Sequence, residues 1–388
     1  MENTKSTKMN IAYFDNSATT RPTNEVIERV TQCIKEGYFN PAALYKPAFD
    51  IEQQINRCRN LIKSKISAEQ VYFTSGGTEA NNLAIFGSLK HKRQKGTILY
   101  SAGEHPSVVN ACLELLNLGF KAQTIPYTVE GIIDLSSFED LLSDDIQLVC
   151  IMHVNNETGA IQPLHEAVQL VRSKAPDAHI HVDGVQGFLR VPFNMRFFDI
   201  NSYSLSGHKI HALKGIGALA LSKGSKLSPI LFGGNQENGL RSGTENVPGI
   251  LSLLAAIENF PANPSMRSLK LQLYKRLKES IPTLSVNGPV PDSQQAAPHI
   301  LNVSLPPVRS ETMLHALEAD NVYVGIGSAC SSKKQRISTV LQSMGIDKTD
   351  AQSAIRISLG LLNTQVDADK LINSCVSAYD KLKHYVRR

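Results

Sequence analysis

Two short stretches hold the residue types most able to do chemistry: His181-Val182-Asp183-Gly184-Val185-Gln186 and, further along, Ser206-Gly207-His208-Lys209. Each sets an ionisable group at the end of an apolar run, a carboxylate in the first and a primary amine in the second. A lysine so placed can hold an aldehyde as a Schiff base. The carboxylate can keep a pyridine nitrogen protonated, which makes the ring an electron sink, and neighbouring hydroxyl and imidazole groups suit a phosphate. Together these are the requirements of pyridoxal phosphate chemistry. Taken singly, His208 reads as a loop histidine and Lys209 as a solvated lysine. Lys214, in Leu213-Lys214-Gly215-Ile216-Gly217, is a rival amine, but it precedes an apolar run and sits among glycines, so Lys209 is preferred.

A third stretch, Ser75-Gly76-Gly77-Thr78-Glu79, follows an apolar run and opens a helical pattern through Ala80, Leu83, Ala84 and Gly87. Free N–H groups at such a helix start bind phosphate, and glycines let it approach closely. Alone, the stretch is more simply a capped helix after a glycine turn; the other two stretches reverse that judgement. His179, His181 and Asp183 alternate along one strand and share a face, which leaves open a metal-dependent hydrolase with two imidazoles and a carboxylate. That alternative leaves Lys209 unexplained and finds no third histidine or bridging carboxylate nearby.

These residues need a scaffold. Apolar runs at 70–74, 97–100, 147–152, 179–183 and 202–206 alternate with helical patterns, as expected of a mainly parallel sheet between helices in an α/β fold. Such sheets bind ligands beyond the carboxyl ends of their strands, where Gly77, Asp183 and Lys209 all fall. The stretch Glu258 to Pro264 reads as a boundary before a smaller α+β domain. With 388 residues, 42% of them apolar, the chain can bury a large core. It has no run long enough for a membrane span and no leader pattern, so a cytoplasmic protein is expected. Six scattered cysteines, without metal-ligand spacing, suit reduced thiols. A net charge of +5 with scattered basic residues indicates no direct nucleic-acid footprint.

Taken together the motifs resemble the cysteine desulfurases, the NifS/IscS-like group of fold-type I pyridoxal phosphate enzymes within the class-V aminotransferases. The resemblance runs in order through Tyr13–Thr20, Phe73–Asn82, Glu104-His105-Pro106, Val154–Gly159, the Asp183 and Lys209 stretches, Gly239–Asn246, Gly327–Ser332 and Ile355–Gly360. It implies a large cofactor-binding domain over 16–258 and a small domain from 1–15 and 259–388 that carries the catalytic cysteine. Lys209 would hold the cofactor, Asp183 would pair with the pyridinium and Gln186 would bond the ring oxygen. His105 would stack on the ring and shuttle protons, its bland reading being a helix cap before proline. Gly77, Thr78, Ser206 and His208 would hold the phosphate, with Thr244 reaching in from the partner of a homodimer. Asn156 would touch cofactor and substrate, and Arg356 would fork onto the substrate carboxylate, unless it is a buried structural arginine.

Cys330 decides the implied reaction: sulfur leaves L-cysteine as a persulfide on Cys330, and L-alanine remains. Lys333, Lys334 and Arg336 follow it, and cations favour the thiolate. The resemblance further implies a sulfur-acceptor protein, with iron–sulfur clusters, tRNA thiolation or thiamine as outlets. The stretch from Cys330 to Thr339–Gly345 resembles the long loop of the IscS-like subgroup, and the scaffold-pairing C-terminal extension is missing. Departures from the family pattern stand at Asn40–Tyr45, Gly184, His211-Ala212-Leu213, Asn235 and Asn238. An aminotransferase, which needs no Cys330, a selenocysteine lyase and a non-catalytic paralogue remain as other readings. The helix pattern on Val366, Leu371, Ile372, Val376, Tyr379 and Leu382 is read as core packing.

Overall fold

The strands are β1 (Ala12–Phe14), β2 (Gln70–Thr74), β3 (Thr97–Ser101), β4 (Lys121–Ile125), β5 (Ile146–Met152), β6 (His179–Asp183), β7 (Ser202–Ser206), β8 (Gly217–Leu221), β9 (Ser285–Val286), β10 (Ile300–Ser304), β11 (Val322–Val324) and β12 (Ala354–Ser358). They come from a computed structural model that describes residues 11–92, 94–262, 264–327 and 337–385. Seven strands form one sheet in the order β2-β8-β7-β6-β5-β3-β4. All five expected runs are strands in it. Pairings from β4 through β7 are parallel, and β8 runs antiparallel to both β7 and β2. The connection from β7 to β8 is too short for a helical crossover, so β8 must return antiparallel.

The near-continuous apolar runs follow from cover on both faces. Alternate residues point to opposite layers. Leu99, Val149, Ile151 and Val182 belong to one core with α1 (Asn24–Glu36), α2 (Lys46–Ile66) and the almost wholly buried helix Val247–Glu258. Ile98, Leu148, Cys150 and Leu219 meet α3 (Gly77–Leu89) and α4 (Pro106–Glu114) on the other side. The register of β5 with β6 pairs Cys150 with His181, so the polar residues His179, His181 and Asp183 face α3 and α4.

A separate core gathers Phe14, Leu273, Leu277, Val303, Val324, Ile357, Leu371 and Cys375 around the antiparallel β9-β10-β12 sheet and the β1–β11 pair. The start of the described chain therefore packs with its last third. The terminal helix Gln365–Leu382 buries Leu371, Ile372 and Tyr379, but Val366 is 64% exposed, and Val376 and Leu382 lie only at the edge of this core. Val366 sits in the first turn of the helix, off the face that packs into the core.

Candidate active site

The carboxyl ends of β2, β3, β5, β6 and β7 open into one cavity of about 1220 Å³, far larger than any other described. Gly77, Thr78, His105, Asn156, Asp183, Gln186, Ser206, His208, Lys209 and Arg356 all line it, so ten positions scattered over the sequence meet in one place. Lys209 sits in the turn just beyond β7. Its Nζ donates to the carbonyl oxygens of Ser17 and Ala18, the latter at 2.8 Å. Burial, followed by the positive charges of Arg356 and Arg190, pulls its pKa down to about 8, so a sizeable fraction of the amine is neutral near physiological pH. Lys214 is exposed at the edge of the neighbouring hollow that holds Gly76 and Ser206.

Asp183 is 6% exposed, with Oδ2 accepting from Asn81 Nδ2 at 2.8 Å and Oδ1 from the Val185 N–H at 3.0 Å. Both bonds leave the carboxylate oxygens as acceptors and fix their orientation. Gln186 is clamped from behind. Its Nε2 donates to the Ser17 carbonyl at 3.0 Å and its Oε1 lies 3.3 Å from Nε2 of the buried His299. The oxygen is thereby turned to the imidazole, and one Nε2 hydrogen stays uncommitted among the described residues.

His105 is the N-cap of α4: its Nδ1 accepts from the Ser107 N–H at 3.1 Å and lies 2.8 Å from Ser107 Oγ. The capping reading and the cavity-wall reading therefore hold together, since the cap engages Nδ1 and leaves Nε2. Burial lowers its pKa, which favours the neutral ring. His208 is likewise neutral, down to about 4 through burial and the nearby Lys209, with Nδ1 at 3.2 Å from Thr19 Oγ1. At the start of α3, a Cβ on Gly77 would lie 2.7 Å from Val185 Cγ2, so a side chain would fill the cradle that glycine leaves open.

Arg356 is buried and serves structure as well as the cavity. Its Nη2 meets Asp15 Oδ1 at 2.7 Å and its Nη1 donates to the Asn156 carbonyl at 2.9 Å. Its Nε edge is pressed against Gly325, where a Cβ would come within 3.0 Å. Each terminal nitrogen keeps one hydrogen for a ligand. Thr244 does not line the cavity; it is exposed beyond Gly243, on a segment tied to α3 by the Arg241–Glu79 ion pair at 2.7 Å. Cys330, Lys333, Lys334 and Arg336 lie outside the described residues. Gly327 and Ile337, on either side of them, both line the cavity.

Sequence reasoning passed over other groups here. Glu104, beside His105, is buried with Oε1 bonded to Ser101 Oγ at 2.6 Å and Oε2 without a partner among the described residues. Burial, and then the charge of Asp183, pushes its carboxyl up to about 8, so it is protonated at neutral pH. Ser17 lines the cavity with a buried Oγ that has no partner among the described residues. Asn81, a buried amide within an apolar helix, was the most readable of the missed signals.

The metal reading of His179, His181 and Asp183 fails on geometry. His179 Nε2 and His181 Nδ1 both bond Ser202 Oγ, at 2.8 and 2.9 Å, and His181 Nε2 meets Asn81 Oδ1 at 3.0 Å. Among the described residues no group of three or more histidine, cysteine or acidic side chains is placed to hold a metal ion. The site instead fits pyridoxal phosphate: a carboxylate fixed by two hydrogen bonds, an amine of lowered pKa, an open glycine cradle at a helix start and a hydroxyl unpartnered among the described residues share one cavity.

Two of the departures have local causes. A Cβ on Gly184 would lie 1.8 Å from the Tyr203 ring, so alanine cannot stand beside this tyrosine. His211 accepts from the Leu361 N–H at 3.0 Å through Nε2 and meets the Arg21 carbonyl at 2.7 Å through Nδ1, pinning three remote segments together.

Residues 12–371 match the aminotransferase class-V family. The chain is 35% identical over 387 residues to a protein of Methanosarcina thermophila described as cysteine desulfurase IscS, covering 98% of this chain and 94% of that one. Among solved structures, a NifS-like protein superposes with a TM-score of 0.87 at 30% identity, covering 96% of this chain and all of that one. A structure described as SspA in complex with cysteine superposes with a TM-score of 0.80 at 30% identity, over 91% of this chain and 99% of that one.

Proposed function

This chain belongs to the class-V aminotransferase family, among its pyridoxal-phosphate-dependent cysteine desulfurases, and from that membership we propose how its own residues carry the reaction. The observation that supports the assignment is the meeting of Lys209, Asp183, His105 and Arg356 on one cavity wall. When bound, the cofactor supplies an electron sink conjugated to the substrate's α-carbon.

Asp183 would keep the pyridine nitrogen protonated, Gln186 would donate its remaining hydrogen to the ring oxygen, and Gly77, Thr78, Ser206 and His208 would hold the phosphate. Asn156 touches cofactor and substrate. Lys209, with its lowered pKa, would supply the amine that holds the aldehyde and a group able to move protons at the α-carbon. His105 offers Nε2 as a second proton carrier. Arg356 grips the carboxylate of L-cysteine with the free hydrogens of its two terminal nitrogens. Cys330, as thiolate, takes the substrate sulfur: an S–S bond forms as the C–S bond breaks, and L-alanine leaves.

We also propose the domain division at 16–258 against 1–15 with 259–388, supported by the separate core around Phe14 and Ile357. A homodimer is supported by Thr244, which stands exposed outside its own cavity, and by the exposed apolar side chains of Tyr38, Leu44, Tyr45 and Phe49. A cytoplasmic location with a sulfur-acceptor protein serving iron–sulfur clusters, tRNA thiolation or thiamine completes the reading; the described cysteines are free thiols and no described helix can cross a membrane.

The test is the yield of L-alanine and sulfide from L-cysteine with a thiol reductant, for the wild type beside Cys330→Ala. Equal yields of both products, lost in the variant, are expected; undiminished sulfide from the variant would remove Cys330 from the reaction.

A further inference from the structure

Asn81 is 1% exposed in the interior of α3, where Ala80, Leu83 and Ala84 beside it are apolar core. Its amide is nonetheless fully used. Nδ2 lies 2.8 Å from Asp183 Oδ2 and 2.9 Å from Ser107 Oγ, and Oδ1 lies 3.0 Å from His181 Nε2. Ser107 Oγ continues to His105 Nδ1 at 2.8 Å. His181 Nδ1 continues to Ser202 Oγ at 2.9 Å, and Ser202 to His179 Nε2 at 2.8 Å. One amide thus touches the carboxylate directly and the imidazole of His105 through a single hydroxyl.

The carboxylate sets the direction of every bond in this chain. An ionised Asp183 only accepts, so the amide must present its NH2 and turn its oxygen to His181. His181 Nε2 therefore carries a hydrogen. Burial holds His181 neutral, its pKa down to about 3, so Nδ1 is bare and accepts from the Ser202 hydroxyl. Ser202, its own hydrogen committed, accepts from His179 Nε2–H. On the other side, the second amide hydrogen goes to Ser107 Oγ, whose hydroxyl donates to His105 Nδ1. A neutral His105 must then carry its proton on Nε2, the nitrogen without a partner among the described residues. A flipped amide would set its oxygen against the Asp183 carboxylate and reverse each bond.

We propose that Asn81, keyed by the relay through His181, Ser202 and His179, is a positioning residue that holds Asp183 in one orientation and, through Ser107, reinforces the N-cap bond that keeps the His105 proton on Nε2 for the desulfurase reaction. The inference rests on the roles given above to Asp183 and His105. Neither Asn81 nor His181 reacts; each acts through the groups it orients.

The test compares the wild-type holoenzyme with Asn81→Ala, His181→Leu and His181→Gln, and adds 15N NMR of histidine-labelled protein. Gln at 181 keeps a donor within reach of Asn81 Oδ1, and Leu removes it. Expected are a fall in kcat of about 10–100-fold in Asn81→Ala and His181→Leu, the size seen when the outer hydrogen-bond partners of metal ligands are lost. KM for cysteine should change little, and His181→Gln should recover most of the loss. In the wild type, His181 and His105 should each show the Nε2–H tautomer from pH 6 to 8. Leu and Gln variants equally impaired, or both fully active, would overturn the proposal, as would a proton on Nδ1 of His181. Should His181→Leu not fold, Asn81→Ala and the tautomers carry the decision. A wild type that binds no pyridoxal phosphate and yields no alanine would sink the functional reading instead, and the tautomers in that cofactor-free protein would still decide the relay.

Discussion

At the scale of single residues the site is built by removing water from charged groups. Burial first, and then the charges of Arg356 and Arg190, pull the Lys209 pKa down to about 8, while among the described residues its Nζ donates only to the Ser17 and Ala18 carbonyl oxygens. Only a neutral amine attacks an aldehyde, so capture of pyridoxal phosphate by cofactor-free protein should speed up about tenfold per pH unit below 8 and level off above it. Stopped-flow absorbance between pH 6.5 and 9 measures this, and a flat profile would contradict the assignment. Lys209→Ala should show no absorbance from covalently held cofactor. Arg356→Lys keeps the charge and loses the planar two-point fork, so KM for cysteine should rise roughly tenfold or more, with far-ultraviolet circular dichroism unchanged. An unaltered KM would leave Arg356 only its bridge to Asp15.

At the scale of elements, what matters is how closely strand ends and helix starts approach. Tyr203, in β7, fills the space beside the β6 end: its ring stacks on Phe193 with centroids 4.4 Å apart, and its hydroxyl lies 3.2 Å from the Gly184 carbonyl. Gly184→Ala should therefore destabilise the protein by about 1–3 kcal/mol, as overpacking of a filled core does. In a Tyr203→Leu background the added methyl should cost clearly less, because the two positions share one space. Chemical denaturation of the four variants in the cycle gives that coupling; strictly additive costs would show that the ring is not what excludes alanine.

At the scale of the whole molecule, a set of buried neutral histidines governs how the fold answers acid. Burial takes His153, His179 and His181 down to about 3, and His208 and His211 to about 4. Each is protonated near 6.5 in the unfolded chain, so its stabilising effect is complete above pH 6.5 and is lost as pH falls from there towards 4, at about 1.4 kcal/mol per unit per group. Glu104 and Glu157, whose pKa values are raised by burial, act in the opposite sense over part of the same range. Five histidines outweigh two carboxyls. The melting temperature should thus fall steeply below pH 6.5, and His211→Gln should weaken that dependence. A melting temperature constant from pH 7 to 5 would refute this account.

Much of the chemistry was legible in the chain because it depends on residue type and local order. The five strand runs, the glycine-opened helix and the Asp183 and Lys209 stretches are local patterns, and elementary steric and hydrogen-bonding rules read them directly. What required the tertiary structure was every question about partners. His179 and His181 alternate on a strand as metal ligands would, and only the arrival of Ser202 from β7 and Asn81 from α3 turned them into links of a hydrogen-bond relay. Gly184 is a departure in one dimension and a necessity once Tyr203 lies against it. His105 and Arg356 each proved to hold structural bonds and a place on the cavity wall at once, a double use that sequence presents as a choice. Strand and helix patterns are written in neighbours a few residues apart, whereas the protonation, orientation and accessibility of a side chain are set by groups that only folding brings within 3 Å of it.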